Sequence, residues 1–440
     1  MKQTSHTNGK KASVIVLGCK VNQAEAAAMA KILGQLGYMV DQGADDPALI
    51  VVNTCCVTSK AEAKSRRMVS QVAAKFPKAR LLVTGCLAEI NPSSLQKAAK
   101  DARILCTEEK DRFYEHVENG SRGQATRKAA FCKDFGDLGT PGTIDRGRAF
   151  LKVQDGCSQY CSYCIVPRAR GPERSLRPDV AQVQAADLKR EGYAEIVLTG
   201  VHLGSYGRDL NPRTDLKNLL VSLLSRCLGV RFRLSSVEPQ EISEDLIRLM
   251  GEHPRVCRHF HIPVQSGDDT ILGRMRRPYN ADFIRRLTDR IRNAVPEACI
   301  GMDIMVGFPG EDDRAFGATR NLVETSGAAY LHVFPFSPRP GTPAAMYRPR
   351  TPSEVAQKRV EELRDLSMNL RRNFYRRFLG RAFEAVIESS NETGYLMGRT
   401  DHYVPVLIKS PEPGPLPHVM EVVLQDLDGD RVIGACLQDP

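Results

Sequence analysis

The 440-residue sequence has no continuous apolar run of the roughly eighteen residues that a membrane-spanning helix needs. Its N-terminal stretch is polar and contains lysines, where a signal peptide has an apolar core. These two absences predict a soluble, cytoplasmic protein with no membrane partner. In a reducing compartment the 13 cysteines are expected to act as metal ligands, nucleophiles or small buried residues, and not to form disulfides.

The sequence has fewer acidic than basic residues, with 52 Asp and Glu and 62 Lys and Arg, so its formal net charge is +10. A surplus of positive charge favours an electrostatic partner such as nucleic acid, and RNA is the preferred interpretation. The chain is too long for one ordinary core, so about two to four domains are expected. Hydrophobic residues make up 42% of the chain, which predicts that these domains are ordered.

Three cysteines, Cys157, Cys161 and Cys164, form an unpaired triplet with three and then two residues between them. Thiolates are soft ligands suited to iron and zinc, but structural zinc is almost always closed by four protein ligands. Three ligands instead fit a four-iron cluster in which the fourth iron has no protein ligand. Such an iron is open to a substrate, which indicates a catalytic role. The alternative is an accidental group of cysteines.

A second group of cysteines is predicted within residues 12–116, where β-branched runs alternate with helical stretches as in parallel α/β domains. Predicted strands near 13–17, 49–52 and 81–83 each lead into a turn that carries a cysteine. These cysteines are Cys19, Cys55 and Cys86. The carboxyl ends of parallel strands share one sheet edge, where ligands usually bind, so the three thiolates are expected to meet. Each could instead be a small buried residue, and Cys56 could replace Cys55.

A linker over 117–147, rich in Gly and Ser, precedes six strand-like runs that alternate with amphipathic helices. The runs lie near 150–153, 195–199, 231–235, 258–262, 300–305 and 329–334. They predict a partial barrel of six βα units, in which the loops after the strands carry the reactive groups. The triplet follows the first run, and later loops contain Gly200, Ser236, Glu238 and Gln265. These loops outline a polar pocket, although a turn-forming role for any one of them is equally open.

A basic helix is predicted near 353–379, and a solvated packing helix is the preferred interpretation for each of its arginines. Its arginines are Arg371, Arg372, Arg376 and Arg377. After Gly380, short strands near 382–388, 395–398, 404–408 and 421–424 predict a small all-β barrel. Such barrels often bind RNA, and this one offers Tyr395, Arg399, His402 and Tyr403. The expected fold class is α/β, with an open parallel domain, a partial (βα)6 barrel and a small all-β barrel in that order.

Gly156 before the triplet and Tyr163 directly before its last cysteine complete a motif that resembles the radical S-adenosylmethionine enzymes. From about residue 12 onward, the chain resembles the methylthiotransferases of that superfamily. The resemblance rests on the triplet together with Gly18-Cys19-Lys20-Val21-Asn22, Asn53-Thr54-Cys55 and Thr84-Gly85-Cys86. It implies a cluster domain over 12–116, a radical core over 148–379 and a TRAM RNA-binding domain over 380–440.

The resemblance also implies two 4Fe-4S clusters, one on Cys157, Cys161 and Cys164 and one on Cys19, Cys55 and Cys86. S-adenosylmethionine is expected on the open iron of the first cluster, with Gly200, Ser236, Glu238 and Gln265 as candidate pocket residues. The remaining cysteines match no cluster motif and are interpreted as structural. They are Cys56, Cys106, Cys132, Cys227, Cys257, Cys299 and Cys436.

Within the family, Cys19-Lys20-Val21-Asn22, Gly200-Val201-His202-Leu203-Gly204 and Arg168-Ala169-Arg170-Gly171 most resemble the branch acting on N6-threonylcarbamoyladenosine at position 37 of tRNA. The implied product is the 2-methylthio derivative, with an electron donor such as a flavodoxin-type reductant and a sulfur source as further partners. Sister branches act on isopentenyladenosine in tRNA or on a ribosomal-protein aspartate and share the cluster residues. A third alternative is an RNA-binding iron-sulfur scaffold without turnover.

Overall fold

Three sheet systems follow one another along the chain in the computed structural model, which describes residues 9–41, 43–118, 135–141, 147–390, 394–409 and 418–437. They are an open parallel sheet, two parallel three-stranded sheets that form a half-barrel, and a small closed barrel, so the expected fold class is confirmed. Most of the predicted linker lies outside the described residues. None of the described helices is both long enough and apolar enough to cross a membrane.

The N-terminal sheet has the strand order β2-β1-β3-β4-β5, and all its pairs are parallel. Its strands are β1 (Lys11–Val16), β2 (Met39–Val40), β3 (Leu49–Thr54), β4 (Arg80–Gly85) and β5 (Arg103–Ile104). Its helices are α1 (Lys20–Gln35), α2 (Ser59–Lys75), α3 (Cys86–Ile90), α4 (Pro92–Ala98) and α5 (Phe113–Glu118). Every residue of β3 is buried, as expected for a central strand with helices on both faces.

The central sheets, ordered β10-β9-β6 and β11-β12-β13, are joined by isolated parallel bridges from Phe232 to Val256 and from Ser236 to His261. The six strands are β6 (Arg148–Lys152), β9 (Glu195–Thr199), β10 (Arg231–Leu234), β11 (His259–Gln265), β12 (Cys299–Val306) and β13 (Tyr330–Pro335). The short strands β7 (Gln154–Asp155) and β8 (Arg174–Ser175) form a separate antiparallel pair.

The short helix α6 (Val166–Arg170) packs on the core of the N-terminal sheet through Ala169. The remaining helices cover the outer face of the half-barrel. They are α7 (Pro178–Arg190), α8 (Leu216–Arg226), α9 (Glu244–Glu252), α10 (Asp269–Arg274), α11 (Ala281–Ala294), α12 (Asp313–Thr325) and α13 (Ser353–Arg376). Alternate strand residues, such as Phe232, Leu234, Ile300 and Met302, belong to the large apolar core. The residues between them point the opposite way, because side chains alternate across a strand. The lumen is therefore lined by polar groups such as Arg233, His261 and Asp303.

The C-terminal barrel is closed, with the strand order β14-β15-β16-β18-β17. Its strands are β14 (Ala382–Ser390), β15 (Tyr395–Thr400), β16 (Pro405–Lys409), β17 (Val419–Asp428) and β18 (Arg431–Cys436). The last of these has no counterpart among the predicted strands. Gly434 interrupts the apolar alternation of this strand, so the sequence pattern does not reveal it. A Cβ at this position would lie 2.6 Å from Cγ1 of Val406, so the close packing of β18 beside β16 favours a glycine.

The small barrel covers the amino ends of the half-barrel strands. Arg231, the first residue of β10, donates to the carbonyl oxygens of Glu384 at 3.2 Å and Arg399 at 2.7 Å. The ring of His259, the first residue of β11, stacks on Tyr403 with the centroids 4.1 Å apart. The lumen is thus closed at this end, and reactive groups belong at the carboxyl end of the strands.

Candidate active site

The triplet lies on the loop that follows β6 and β7, at the carboxyl end of the half-barrel. Gly156 has a φ of +71°, and a Cβ there would lie 1.8 Å from the carbonyl oxygen of Pro172. The backbone N–H of Cys157 donates to the carbonyl of Gly171 at 3.0 Å, and that of Cys164 donates to Cys161 at 3.0 Å. The loop is therefore held against the segment after α6, and Gly156 is required for that approach.

Two basic side chains point at the sulfurs of the triplet. Arg277 donates to Cys161 Sγ at 3.2 Å, and Nδ1 of His202 lies 3.6 Å from Cys157 Sγ. Burial raises the pKa of the Cys161 thiol, although Arg277 opposes the shift, and burial raises the pKa of Cys164 to about 12. The buried thiols are thus protonated in the absence of a metal, and a cation must displace their protons on binding.

The second trio lies at the carboxyl edge of the N-terminal sheet. Cys19 precedes α1, Cys55 follows β3, and Cys86 begins α3 directly after β4. Gly18 and Gly85 have φ values of +113° and +99°; a Cβ on Gly18 would lie 2.8 Å from that of Cys55, and one on Gly85 would lie 2.2 Å from the carbonyl oxygen of Thr54. Cys86 and Cys19 both lie close enough to Cys55 to interact with it electrostatically, so three cysteines that are distant in the sequence lie at one sheet edge.

Cys55 and Cys56 have different charged neighbours. Burial and the neighbouring sulfurs of Cys86 and Cys19 raise the pKa of Cys55 to about 12. Burial, Cys86 and Cys55 also raise the pKa of Cys56, whose other charged neighbours are Arg339 and Glu62. Cys55 Sγ lies 3.1 Å from where a Cβ on Gly18, the residue before Cys19, would stand. This geometry favours Cys55 as the third ligand. Cys19 is accessible to solvent, yet enough protein surrounds it for burial to raise the pKa of its thiol.

Neither trio has its three sulfurs as close together as a single zinc ion requires. Zn–S bonds of about 2.3 Å in a tetrahedral site place the sulfurs about 3.8 Å apart. In neither trio do all three sulfurs lie within 4.8 Å of one another, and the one group of described residues that meets this limit is His261, Asp303 and His332. In that group Asp303 Oδ1 lies 2.8 Å from Nε2 of His261 and 3.3 Å from Nδ1 of His332. The Asp303 carboxylate is therefore already paired with both histidines.

A buried charge network connects the two trios through Arg170. Its guanidinium donates to Cys86 Sγ at 3.4 Å, to Asn22 at 2.6 Å, and to Glu25 and Asp155 at 3.0 Å each. Burial alone would raise the pKa of Glu25, but Arg170, Lys110 and Lys152 outweigh it and hold that pKa well below its usual range. Because Asp155 is two residues before Cys157, one side chain fixes both cysteine loops relative to each other.

The four residues predicted for the S-adenosylmethionine pocket occupy distinct environments around the triplet. Glu238 pairs with Arg277, the same arginine that donates to Cys161. Gln265 has a φ of +72°, and its buried Oε1 has no hydrogen-bond partner in the described structure. Ser236 makes the bridge to His261, while Gly200 packs against Gln154, where a Cβ would lie 2.8 Å from Oε1. Their roles toward a ligand remain predictions.

Sequence reasoning missed Arg277 and gave Arg170 no role beyond a branch motif. Arg277 is 116 residues from its partner Cys161, and the sole available signal was its place in the loop after α10. Of the cysteines interpreted as structural, Cys227, Cys257 and Cys299 are buried, while Cys106 and Cys436 are partly buried. Cys132 lies outside the described residues.

Comparisons with known proteins agree with this arrangement. Residues 11–107 match the profile described as Uncharacterized protein family UPF0004, and residues 151–323 match that of the Radical SAM superfamily. Among solved structures, the radical S-adenosylmethionine methyltransferase TsrM from Kitasatospora setae has a TM-score of 0.56 at 14% identity and covers 77% of each chain. The enzyme OxsB has a TM-score of 0.52 at 12% identity, covering 80% of this chain and 56% of its own. These likenesses show the fold.

Curated relatives match almost the whole chain. The threonylcarbamoyladenosine tRNA methylthiotransferase MtaB of Bacillus subtilis is 33% identical over 405 residues, which is 90% of this chain and 90% of the relative. The protein of the same name from Thermotoga maritima is 33% identical over 396 residues, with the same coverage. The chain therefore belongs to the family of the threonylcarbamoyladenosine tRNA methylthiotransferases, within the radical S-adenosylmethionine superfamily.

Proposed function

We propose that this protein converts N6-threonylcarbamoyladenosine at position 37 of tRNA to its 2-methylthio derivative. The observation that carries the proposal is the pairing of two cysteine trios across one buried network, in a chain whose relatives of that name match it over nine tenths of its length. The C2 hydrogen of adenine is not acidic, so acid-base catalysis offers a poor route to a carbon-sulfur bond. One-electron chemistry at a cluster with an open iron provides the alternative.

The cysteine trios would be the ligands of the two 4Fe-4S clusters. Cys157, Cys161 and Cys164 would hold the cluster that binds S-adenosylmethionine, and Cys19, Cys55 and Cys86 would hold the auxiliary cluster. When bound, these groups and S-adenosylmethionine would supply the radical and the methylthio unit. The protein supplies ligation, orientation and exclusion of water.

Residues around the first trio orient and shield it. Arg277 fixes Cys161 and Glu238 with one guanidinium, and His202 lies between Cys157 and Glu173, 3.1 Å from the latter carboxylate. Gln265 offers its unpaired amide oxygen to a polar group of the bound S-adenosylmethionine. Gly200 keeps the neighbouring loop close to Gln154, whose side-chain amide donates to the carbonyls of Asp155 and Gly156 at 2.9 Å each.

The proposed partners follow from the chemistry. A net charge of +10 suits tRNA as the macromolecular substrate in the cytoplasm. Each product requires electrons and one sulfur atom, so a low-potential donor such as a flavodoxin-type reductant and a separate sulfur source complete the reaction.

The experiment that tests the proposal compares modified nucleosides in bulk tRNA from cells with and without the gene. The expected result is loss of the 2-methylthio form and accumulation of unmodified N6-threonylcarbamoyladenosine, restored by the wild-type gene but not by a Cys157→Ala variant. If 2-methylthio-isopentenyladenosine or a methylthiolated ribosomal protein is lost instead, the substrate assignment is wrong.

A further inference from the structure

The side chain of Lys20, the residue after Cys19, lies at the amino end of the half-barrel lumen. We call this end, which Tyr403 and the rest of the small barrel cover, the floor of the lumen. Its ammonium interacts electrostatically with Tyr403, Arg148, Arg233 and Asp303. These groups come from the loop between β15 and β16 and from strands β6, β10 and β12. The helix that Lys20 begins packs Ala24 on Phe150 of β6 and Val197 of β9. Lys20 therefore lies where all three parts of the chain meet, one residue from a proposed ligand of the auxiliary cluster.

Three arginines around the floor share two carboxylates. Arg233 pairs with Glu195 at 2.7 Å, and Arg148 and Arg399 pair with Glu388 at 3.0 Å and 2.7 Å.

Lys20 itself has no such partner. The nearby Asp303 carboxylate is engaged by His261 at 2.8 Å and His332 at 3.3 Å. Within the described part of the chain, the ammonium of Lys20 makes no direct hydrogen bond or ion pair. Lys20, Arg148, Arg233 and Arg399 therefore face three carboxylates, those of Glu195, Glu388 and Asp303, and the surplus of positive charge at the floor suits an anionic ligand.

The floor is otherwise built for a small polar group. Tyr403 stacks on His259, with their centroids 4.1 Å apart, and Arg399 lies over the Tyr403 ring at 4.4 Å from its centroid. Gly301 leaves room for the Tyr330 ring, because a Cβ there would lie 2.2 Å from it. These contacts fix the floor in place, while a partly buried ammonium and the Arg233 guanidinium favour an anion.

We propose that Lys20 binds the carboxylate of the threonylcarbamoyl group and so selects this nucleoside over isopentenyladenosine. The inference rests on the proposed function. Threonine joined through its amine to the carbamoyl group keeps a free carboxylate, whereas an isopentenyl group is a neutral hydrocarbon. The neutral group leaves Lys20 unpaired in a low-dielectric site, and unpaired buried polar groups are a strong source of discrimination. Lys20 is thus a specificity residue, and the lumen floor receives the N6 substituent.

The test uses two anticodon stem-loop RNAs that differ in one group, N6-threonylcarbamoyladenosine or its carboxylate methyl ester. Anaerobically reconstituted full-length wild-type enzyme is compared with Lys20→Met, Lys20→Arg and the matched control Lys97→Met, an exposed lysine on α4. RNA affinity is measured by fluorescence anisotropy, and kcat/KM by nucleoside mass spectrometry. Iron content and 5′-deoxyadenosine formation report whether the clusters are intact.

For wild-type enzyme and Lys97→Met, the carboxylate RNA should bind about 10- to 100-fold more tightly than the ester, the range for a hydrogen bond to a charged group. Lys20→Met should lose this preference because its affinity for the carboxylate RNA falls while its affinity for the ester RNA is unchanged. Lys20→Arg should retain most of the preference. Equal binding of the two RNAs by the wild-type enzyme overturns the proposal, whatever the variants do.

A role of Lys20 at the cluster predicts a different pattern. Lys20→Met would then lower turnover equally on both RNAs without changing their relative affinities, and this result also overturns the proposal. Failure of the wild-type enzyme to methylthiolate either RNA would refute the proposed function instead. The anisotropy preference would still decide whether Lys20 recognises a carboxylate.

Discussion

The two cysteine trios are proposed to serve different steps of the reaction, so substitutions of single residues should separate their roles. Cys157→Ala should abolish cleavage of S-adenosylmethionine, because the first cluster loses a ligand. Cys19→Ala should retain cleavage and lose methylthio transfer. Formation of 5′-deoxyadenosine and of the 2-methylthio nucleoside, measured in the same anaerobic reaction, distinguishes the two defects. Full methylthio product from reconstituted Cys19→Ala enzyme would contradict the auxiliary-cluster assignment.

Cys55 and Cys56 provide a matched pair for the same assignment. Cys55 lies near Cys19 and Cys86, while Cys56 has Arg339 and Glu62 among its neighbours. Cys55→Ala should lose the auxiliary-cluster iron and the methylthio product, whereas Cys56→Ala should keep both. Iron analysis and product analysis check this, and the reverse pattern would move the third ligand to Cys56.

Arg170 neutralises two buried carboxylates and donates to a proposed ligand sulfur. Removing one partner of a buried charge network costs about 3–5 kcal/mol, so Arg170→Met should lower the free energy of unfolding by that amount. Arg168→Met, two residues earlier and exposed, should cost less than about 1 kcal/mol. Anaerobic denaturant unfolding measures both. Equal effects would mean that Arg170 does not hold the two loops together.

The sequence pattern located the cysteines but could not locate their partners. Strand ends followed by cysteine are visible locally, because a short apolar run and a turn are adjacent in the chain. Arg170 and Glu25 are 145 residues apart, and their contact depends on how two sheets pack. Gln265 was identified by loop position, but its unpaired amide oxygen became evident only in three dimensions.

Among the structural elements, the loop before the triplet depends on one glycine. Gly156→Ala would place a Cβ 1.8 Å from a backbone carbonyl at a φ of +71°, so the loop with Cys157 must move. The variant should lose the iron of the first cluster and keep that of the second. Gly317→Ala in α12, where no atom lies within 4 Å, should keep both clusters and gain about 0.5–1 kcal/mol of stability. Normal iron content in Gly156→Ala would refute this requirement.

Helix α13 and the β17–β18 turn border a groove of about 670 Å³ lined by Arg364, Arg371, Arg372 and Asp430. Arg364 and Arg372 are exposed, which suits contact with phosphates. The double variant Arg364→Gln, Arg372→Gln should weaken binding of substrate tRNA and reduce the salt slope by about 1 per lost contact. Anisotropy titrations at several salt concentrations test this, with Lys97→Met as the control. An unchanged slope would exclude the groove from the tRNA path.

The strands expected from sequence have counterparts in the structure, but short and irregular ones were missed. β2 and β5 contain two residues each, which is too few to produce a pattern. β18 is interrupted by Gly434, and the link between the two central sheets is a pair of isolated bridges. Periodicity detects an element only when several consecutive side chains alternate between core and solvent.

At the scale of the whole molecule, three parts of the chain enclose one polar lumen. The half-barrel provides the walls, α1 of the N-terminal sheet packs along β6 and β9, and the small barrel closes the amino end with Tyr403. The sequence predicted the order of these parts. It could not predict that the small barrel contributes to the lumen, because the contacts of Arg231 and Arg233 are with backbone carbonyls, which carry no sequence signal.

The most direct test of the account is a single reaction with purified components. Anaerobically reconstituted enzyme is supplied with S-adenosylmethionine, a reductant, a sulfur source and stem-loop RNA carrying N6-threonylcarbamoyladenosine, and the nucleosides are then resolved by mass spectrometry. We expect a methylthio group on C2 of that nucleoside, with 5′-deoxyadenosine formed in the same reaction and no methylthio product when either trio lacks a cysteine. Cleavage of S-adenosylmethionine that leaves this nucleoside unchanged, while isopentenyladenosine RNA or a ribosomal protein becomes methylthiolated, would contradict it.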